Sequence, residues 1–186
     1  MPARIMCLII VLLEARGLFL SIGDRRWKVF AFYTQLSNIA TAISAALVLV
    51  FGETAFTVLL RYLSSCTLVM TFFVTTCILI PMGGDPKLLL LSGNGLYHHL
   101  IIPIVSVGSY LVIERHVQSP TAILVPTVLT FLYGMVMLWL NYNDIFDGPY
   151  PFFRVKNQTP GATVLWMTAL TGAIGLISLF VFLLGR

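Results

Sequence analysis

The chain has 186 residues, of which 59% are hydrophobic and 10% charged, with a formal net charge of +4 and a mean hydropathy of +0.97. A soluble domain carries roughly 25% charged residues, so this composition excludes an ordinary water-soluble fold and leaves no material for a separate soluble core. The basic residues are scattered beside apolar runs, which argues against a nucleic-acid partner and for anionic lipid headgroups.

The first apolar run covers about residues 4–22 and is interrupted by Glu14 and Arg16. No small-x-small cleavage site follows it, so it reads as an uncleaved first helix and not as a signal peptide. A polar loop at 23–28 leads into a second run at about 29–51. A tight turn at 52–54 precedes the third, at about 56–80. Pro81 and Pro86, with Gly83 and Gly84 between them, end that helix. The short apolar stretch 87–91 cannot span a bilayer and is expected to lie at the interface or re-enter. The fourth, fifth and sixth runs cover about 96–113, 121–141 and 162–184.

Runs of about 20 apolar residues match a hydrocarbon core of about 30 Å as helices. Only helices or closed barrels satisfy backbone groups in lipid, and these runs are too long for barrel strands. The expected fold is therefore all-α: a polytopic membrane protein, one integral domain of six transmembrane helices. An even number of spans puts both termini on one side. Arg25, Arg26, Lys28, Lys87, Arg154 and Lys156 fall in the loops of the opposite side, against Arg4, Arg115 and Arg186 on the terminal side. The positive-inside rule then places both termini outside, in a multi-pass protein of the cell membrane. Cys7, Cys66 and Cys77 lack metal-ligand spacing and read as small buried hydrophobes.

Polar residues within the apolar runs are the functional candidates, because membrane depth makes them costly. On helix two, Thr34, Asn38, Thr41 and Ala45 share a face. Close helix packing with interhelical hydrogen bonds explains that face as well as chemistry does. On helix three, Arg61, Ser64, Thr71 and Thr75 form a stripe that reads first as a packing seam. On helix four, His98 and His99 point about 100° apart, so at most one is expected to face a given site. The stripe of Asn94, Ser106 and Ser109 favours His98. Pro103 cannot donate to the carbonyl of His99, which predicts a kink. Glu14 needs a partner, and Arg61 is one candidate across the bundle. Gly172 and Gly175 on helix six are expected at a close helix approach. No phosphate loop, nucleophile elbow, zinc-helix motif or dinucleotide fingerprint is present, so neither a metal nor a cofactor is expected.

Three motifs in order along the chain carry a resemblance. They are Phe32-Tyr33-Thr34, a histidine just before Pro103, and Tyr150-Pro151-Phe152 ahead of the last helix. Together they resemble the androgen-induced protein family of intramembrane threonine hydrolases. The Tyr33-Thr34-x-x-Ser37-Asn38 segment also resembles small bacterial multispan proteins. The resemblance implies hydrolysis of esters between fatty acids and hydroxy fatty acids, with membrane lipids as surroundings and substrate. It implies Thr34 as nucleophile, with His98 (five before the proline) or His99 (four before it) as base. Asn38, one turn from Thr34, is the candidate donor to the oxyanion. Glu14 and Arg61 are candidates for polar support.

Two other readings fit the same residues. A small transporter would run a polar pathway through Glu14, Arg61 and the histidines. A non-catalytic scaffold would use every polar stripe as a packing seam.

Overall fold

The computed structural model describes residues 1–114, 116, 118–148 and 150–186, with the side chains of residues 24–27 outside the description. Arg115 and the side chains of Arg25 and Arg26, which carried part of the charge argument, therefore lie outside the described residues. Six helices are long and apolar enough to cross a membrane: α1 Pro2–Arg25, α2 Tyr33–Phe51, α3 Ala55–Leu79, α4 Gly93–Glu114, α5 Pro120–Tyr142 and α6 Pro160–Leu184. The chain is thus an all-α, multi-pass membrane protein, as its hydropathy predicts. Lys87–Leu91 forms one short helical turn between α3 and α4. Its Leu88 and Leu89 carbonyls come so close to Gly95 that a Cβ there would sit 2.6 Å from both oxygens. The turn is thereby clamped onto the start of α4.

The bundle is apolar outside and polar within. Leu124, Val128, Leu132 and Trp139 of α5 and Leu165, Leu176 and Phe180 of α6 point outward. Serines, threonines and charged groups are buried instead. Lipid cannot satisfy hydroxyls, so they bond to one another and to carbonyls one turn back. Ser37 Oγ meets Thr71 Oγ1 at 2.9 Å, and Ser44 Oγ meets Ser64 Oγ at 3.2 Å. A seven-residue step along α2 is matched by a seven-residue step back along α3, as an antiparallel pair requires. The stripes on these two helices are a hydrogen-bonded seam.

Arg61 is wholly buried on that seam, and its partner is Glu114 at the end of α4, not Glu14. Its Nη2 donates to Glu114 Oε1 at 2.7 Å and its Nε to Oε2 at 2.9 Å. Ser106 Oγ accepts from Nη1, and Ser109 Oγ donates to Glu114 Oε1, both at 2.9 Å. The fork of the guanidinium fits the carboxylate in two contacts, and the serines satisfy what remains.

Several boundaries and roles differ from expectation. The helix expected from residue 29 begins only at Tyr33. Residues Arg26–Ala31 form a tighter 3₁₀ stretch, and Phe32 is extended. Aromatic anchors explain the break: Tyr133 donates to the carbonyl of Ala31 at 2.8 Å, and Tyr33 bonds Thr130 at 2.8 Å. In α4, Pro103 widens the helix ahead of it into a π-turn, Tyr97–Ile101, with Ile102 N–H bonded to the carbonyl of Tyr97. Gly172 lies in open space and Gly175 meets only Thr127 at 3.9 Å, so neither marks a tight crossing. Cys7 and Cys66 are buried, but Cys77 is exposed.

Removing one member of a buried ion pair leaves an uncompensated charge, at a cost of about 3–5 kcal/mol. Glu114→Gln is therefore expected to lower the thermal midpoint of the detergent-purified protein sharply. The double variant Arg61→Met with Glu114→Leu should regain most of the loss. An unchanged midpoint in Glu114→Gln would show that the pair does not hold the bundle.

Candidate functional site

The site lies at the membrane end opposite the termini, where α1 ends and α2 and α4 begin. A cavity of about 420 Å³ opens there. Thr34, Gln35, His98, His99, Asn94 and Tyr150 line its polar side, and Leu79, Leu88 and Leu89 its apolar side. A second, narrow and mostly apolar slot adjoins it, walled by Met70, Val74, Phe152, Phe153, Met167 and Leu170. Thr34, Leu79 and Tyr150 line both. Thr34 thus stands where an apolar slot meets a polar chamber.

The late start of α2 sets this position. Thr34 falls in the first turn of the helix, one residue past Tyr33, and not a turn and a half inside. Its Oγ1 lies 3.4 Å from the hydroxyl of Tyr150, and its backbone N–H reaches the same hydroxyl at 3.4 Å. Tyr150 is itself fixed by rings: it stacks on Phe152 at 5.2 Å and packs edge-on to Phe32 and Phe153. Sequence reasoning had only the motif to single out Tyr150, since loop residues carry no periodicity.

His98 is seated in α1. A Cβ at Gly17 would lie 2.4 Å from its Nε2, so the ring fills the notch that the glycine leaves. Glu14 and Ser21 flank the notch on the same face of α1, at helical spacing. Asn94 Nδ2 donates to Ser21 Oγ at 3.1 Å. Ser21 Oγ is in turn 3.3 Å from His98 Nδ1. With that oxygen already accepting, the arrangement that uses every proton has Ser21 donating to Nδ1. His98 then carries its own proton on Nε2, which faces Glu14 Oε2 at 3.9 Å, just beyond direct hydrogen-bond reach. Glu14 is thus the carboxylate that faces His98, from α1. Neither Gly17 nor Ser21 was a candidate from sequence, although the spacing of Glu14, Gly17 and Ser21 was there to be read.

His99 points the other way, towards α3. Its Nδ1 is 3.4 Å from Thr75 Oγ1, whose own proton goes to the carbonyl of Thr71 at 2.9 Å. Nδ1 is then the donor and Nε2 carries the lone pair. The 100° divergence expected for adjacent histidines holds, with one ring towards α1 and one towards α3. The expectation that only one would face the site does not, because the cavity spans the gap between them.

Asn38 is wholly buried beneath the cavity. Its amide donates to the carbonyl of Thr34 at 2.7 Å and to that of His98 at 3.4 Å. The first bond lies within α2 and the second ties α2 to α4, so neither proton points at a substrate. Arg61 stands apart, engaged with Glu114. Among the described residues, no three His, Cys, Asp or Glu side chains are grouped to hold a metal ion.

Compared with models of protein families, with curated proteins and with solved structures, the chain has no match. Its site must therefore be read from its own geometry. The chamber offers a hydroxyl, two imidazoles of opposite tautomer and a phenol at the edge of an apolar slot. That set suits proton transfer and nucleophilic attack on a substrate with an apolar arm.

Gly17→Ala tests the seat of His98. In an exposed helix, alanine would stabilise by about 0.5–1 kcal/mol over glycine. Here the added carbon overlaps the imidazole, and a loss of about 1–3 kcal/mol is expected. The check is a lowered thermal midpoint together with a changed ring signal for His98 by NMR. A stabilised variant would mean that the ring does not occupy the notch.

Proposed function

We propose that this protein is an intramembrane hydrolase of fatty acyl esters, with Thr34 as nucleophile. The observation that carries the reading is the place of Thr34, where the apolar slot meets the chamber that both histidines line. The slot suits an acyl chain entering from the bilayer. Met70 and Met167 in its walls are flexible enough to yield to one. The chamber suits the polar alcohol side and water. The order of the Phe32-Tyr33-Thr34, histidine–proline and Tyr150-Pro151-Phe152 motifs adds the resemblance to the androgen-induced family of threonine hydrolases. The likeness to small bacterial multispan proteins supports a place in the cell membrane.

The base we favour is His99. It lines the chamber from the α3 side, whereas the ring of His98 is turned into α1, with Nδ1 on Ser21. Thr34 Oγ1 adds to the acyl carbon as its proton passes to His99, and the carbonyl π pair moves onto oxygen. Collapse of this intermediate breaks the ester C–O bond. The departing alkoxide takes the proton from His99, leaving acyl-Thr34. Water then adds in the same way, with His99 taking one of its protons. The C–O bond to Thr34 breaks, the proton returns to Thr34, and the fatty acid leaves. His98, with its Nε2 turned to Glu14 at 3.9 Å, forms the α1 wall of the chamber beside this centre.

The transporter reading needs Arg61 on one path with Glu14. Arg61 is instead bonded to Glu114 and Ser106, which removes a link. The scaffold reading accounts for the α2–α3 seam but not for a chamber at its end.

A fluorophosphonate probe on detergent-purified protein, followed by mass spectrometry, tests the assignment. The expected adduct is on Thr34 and is absent in Thr34→Ala. General-base loss costs about 10²–10⁴-fold, so His99→Ala should slow labelling by that much and His98→Ala by less. The reverse order would make His98 the base. Labelling that persists in Thr34→Ala would remove Thr34 as nucleophile.

A further inference from the structure

Among the described residues, five buried side-chain polar atoms have no hydrogen-bond partner, and four of them belong to Glu14, Gln35, Asn38 and His98, in or beside the chamber. Gln35 is the informative one. It is 2% exposed, it lines the chamber beside Thr34, and its Nε2 donates to nothing. An unpaired carboxamide nitrogen in a buried position is costly. A half-turn about the last side-chain bond exchanges its nitrogen and oxygen, so the group presents either a donor or an acceptor to the chamber.

The backbone adds a second feature. α2 is 19 residues long and starts at Tyr33, and Phe32 ahead of it gives no side-chain cap. The first-turn N–H groups and the positive end of the helix dipole therefore lie at Thr34 and Gln35. The Thr34 N–H contact to Tyr150 is long, at 3.4 Å. Asn38, the donor that its spacing suggested, already gives its protons to two carbonyls.

We propose that Gln35, with the first-turn N–H groups of α2, forms the oxyanion site for the carbonyl that Thr34 attacks. The proposal rests on the hydrolase reading and assigns its missing electrophilic part. As the Thr34 Oγ–acyl carbon bond forms, the π pair of the carbonyl moves onto oxygen and the Thr34 proton passes to His99. The charge on that oxygen is new in the transition state. Donors aimed at that oxygen as the charge develops lower the barrier. Asn38 is then a positioning residue that fixes α2 against α4.

The test is steady-state hydrolysis of a 4-nitrophenyl fatty acyl ester by the full chain in nanodiscs, with the thermal midpoint measured alongside. Gln35→Met keeps length and loses the donor. Loss of one such donor costs about 10²–10³ in kcat, and that fall is expected with KM little changed. The midpoint should hold or rise, since the carboxamide nitrogen makes no bond to lose. If Gln35→Met does not fold, Gln35→Leu, which also lacks the donor, carries the test and should fall as far. Wild-type kcat in either folded variant, with Thr34→Ala inactive, overturns the role of Gln35 and leaves the hydrolase standing. A wild-type protein without Thr34-dependent turnover overturns both.

Discussion

Hydrocarbon offers no hydrogen bonds, so every polar side chain in these helices must be matched by another within the bundle. That constraint explains most of the packing. Hydroxyls on α2 and α3 face each other or fold back onto their own helix. Arg61 is closed off by Glu114 and two serines. Tyrosines from α5 and α3 cap carbonyls elsewhere: Tyr133 on Ala31, and Tyr62 on Ser178. The matching is nearly complete over the half of the bundle that holds the termini. It fails at the other end, around His98, where unpartnered atoms gather. A membrane protein tolerates such atoms where the site itself has work for them.

The fold was largely legible because membrane spans are a matter of length and apolarity, and both are written in the chain. The exceptions have local causes. α2 starts four residues late because Tyr33 and Tyr133 anchor the stretch before it, and aromatic anchoring from a distant helix leaves no mark on local hydropathy. Glu114 lies just past the fourth apolar run, 96–113. It is the counter-ion of Arg61, and the offset between residues 61 and 114 is visible only once α3 and α4 are side by side.

The site was legible in part. Thr34, His98 and His99 stood out as polar groups in apolar runs, and the fold brings them to one cavity. Gln35 did not stand out, because it sits one residue off the face shared by Thr34 and Asn38, and a helical wheel drawn from residue 29 puts it aside. Gln35 reaches the chamber because α2 starts at Tyr33, which leaves it and Thr34 together in the first turn beside the cavity. Glu14 was noticed, but its relation to His98 depends on Gly17, and a glycine in an apolar helix signals nothing until a ring is found lying over it.

A hydrolase that works through Thr34 must pass through an acyl ester of that side chain. Mixing the protein with a long-chain fatty acyl ester, quenching in acid within the first turnover and mapping the adduct by mass spectrometry measures this directly. The expected result is the mass of the acyl group on the peptide that contains Thr34, formed and lost at rates compatible with turnover. Turnover with no acyl group on Thr34, or with the group on another residue such as Ser21, would contradict it.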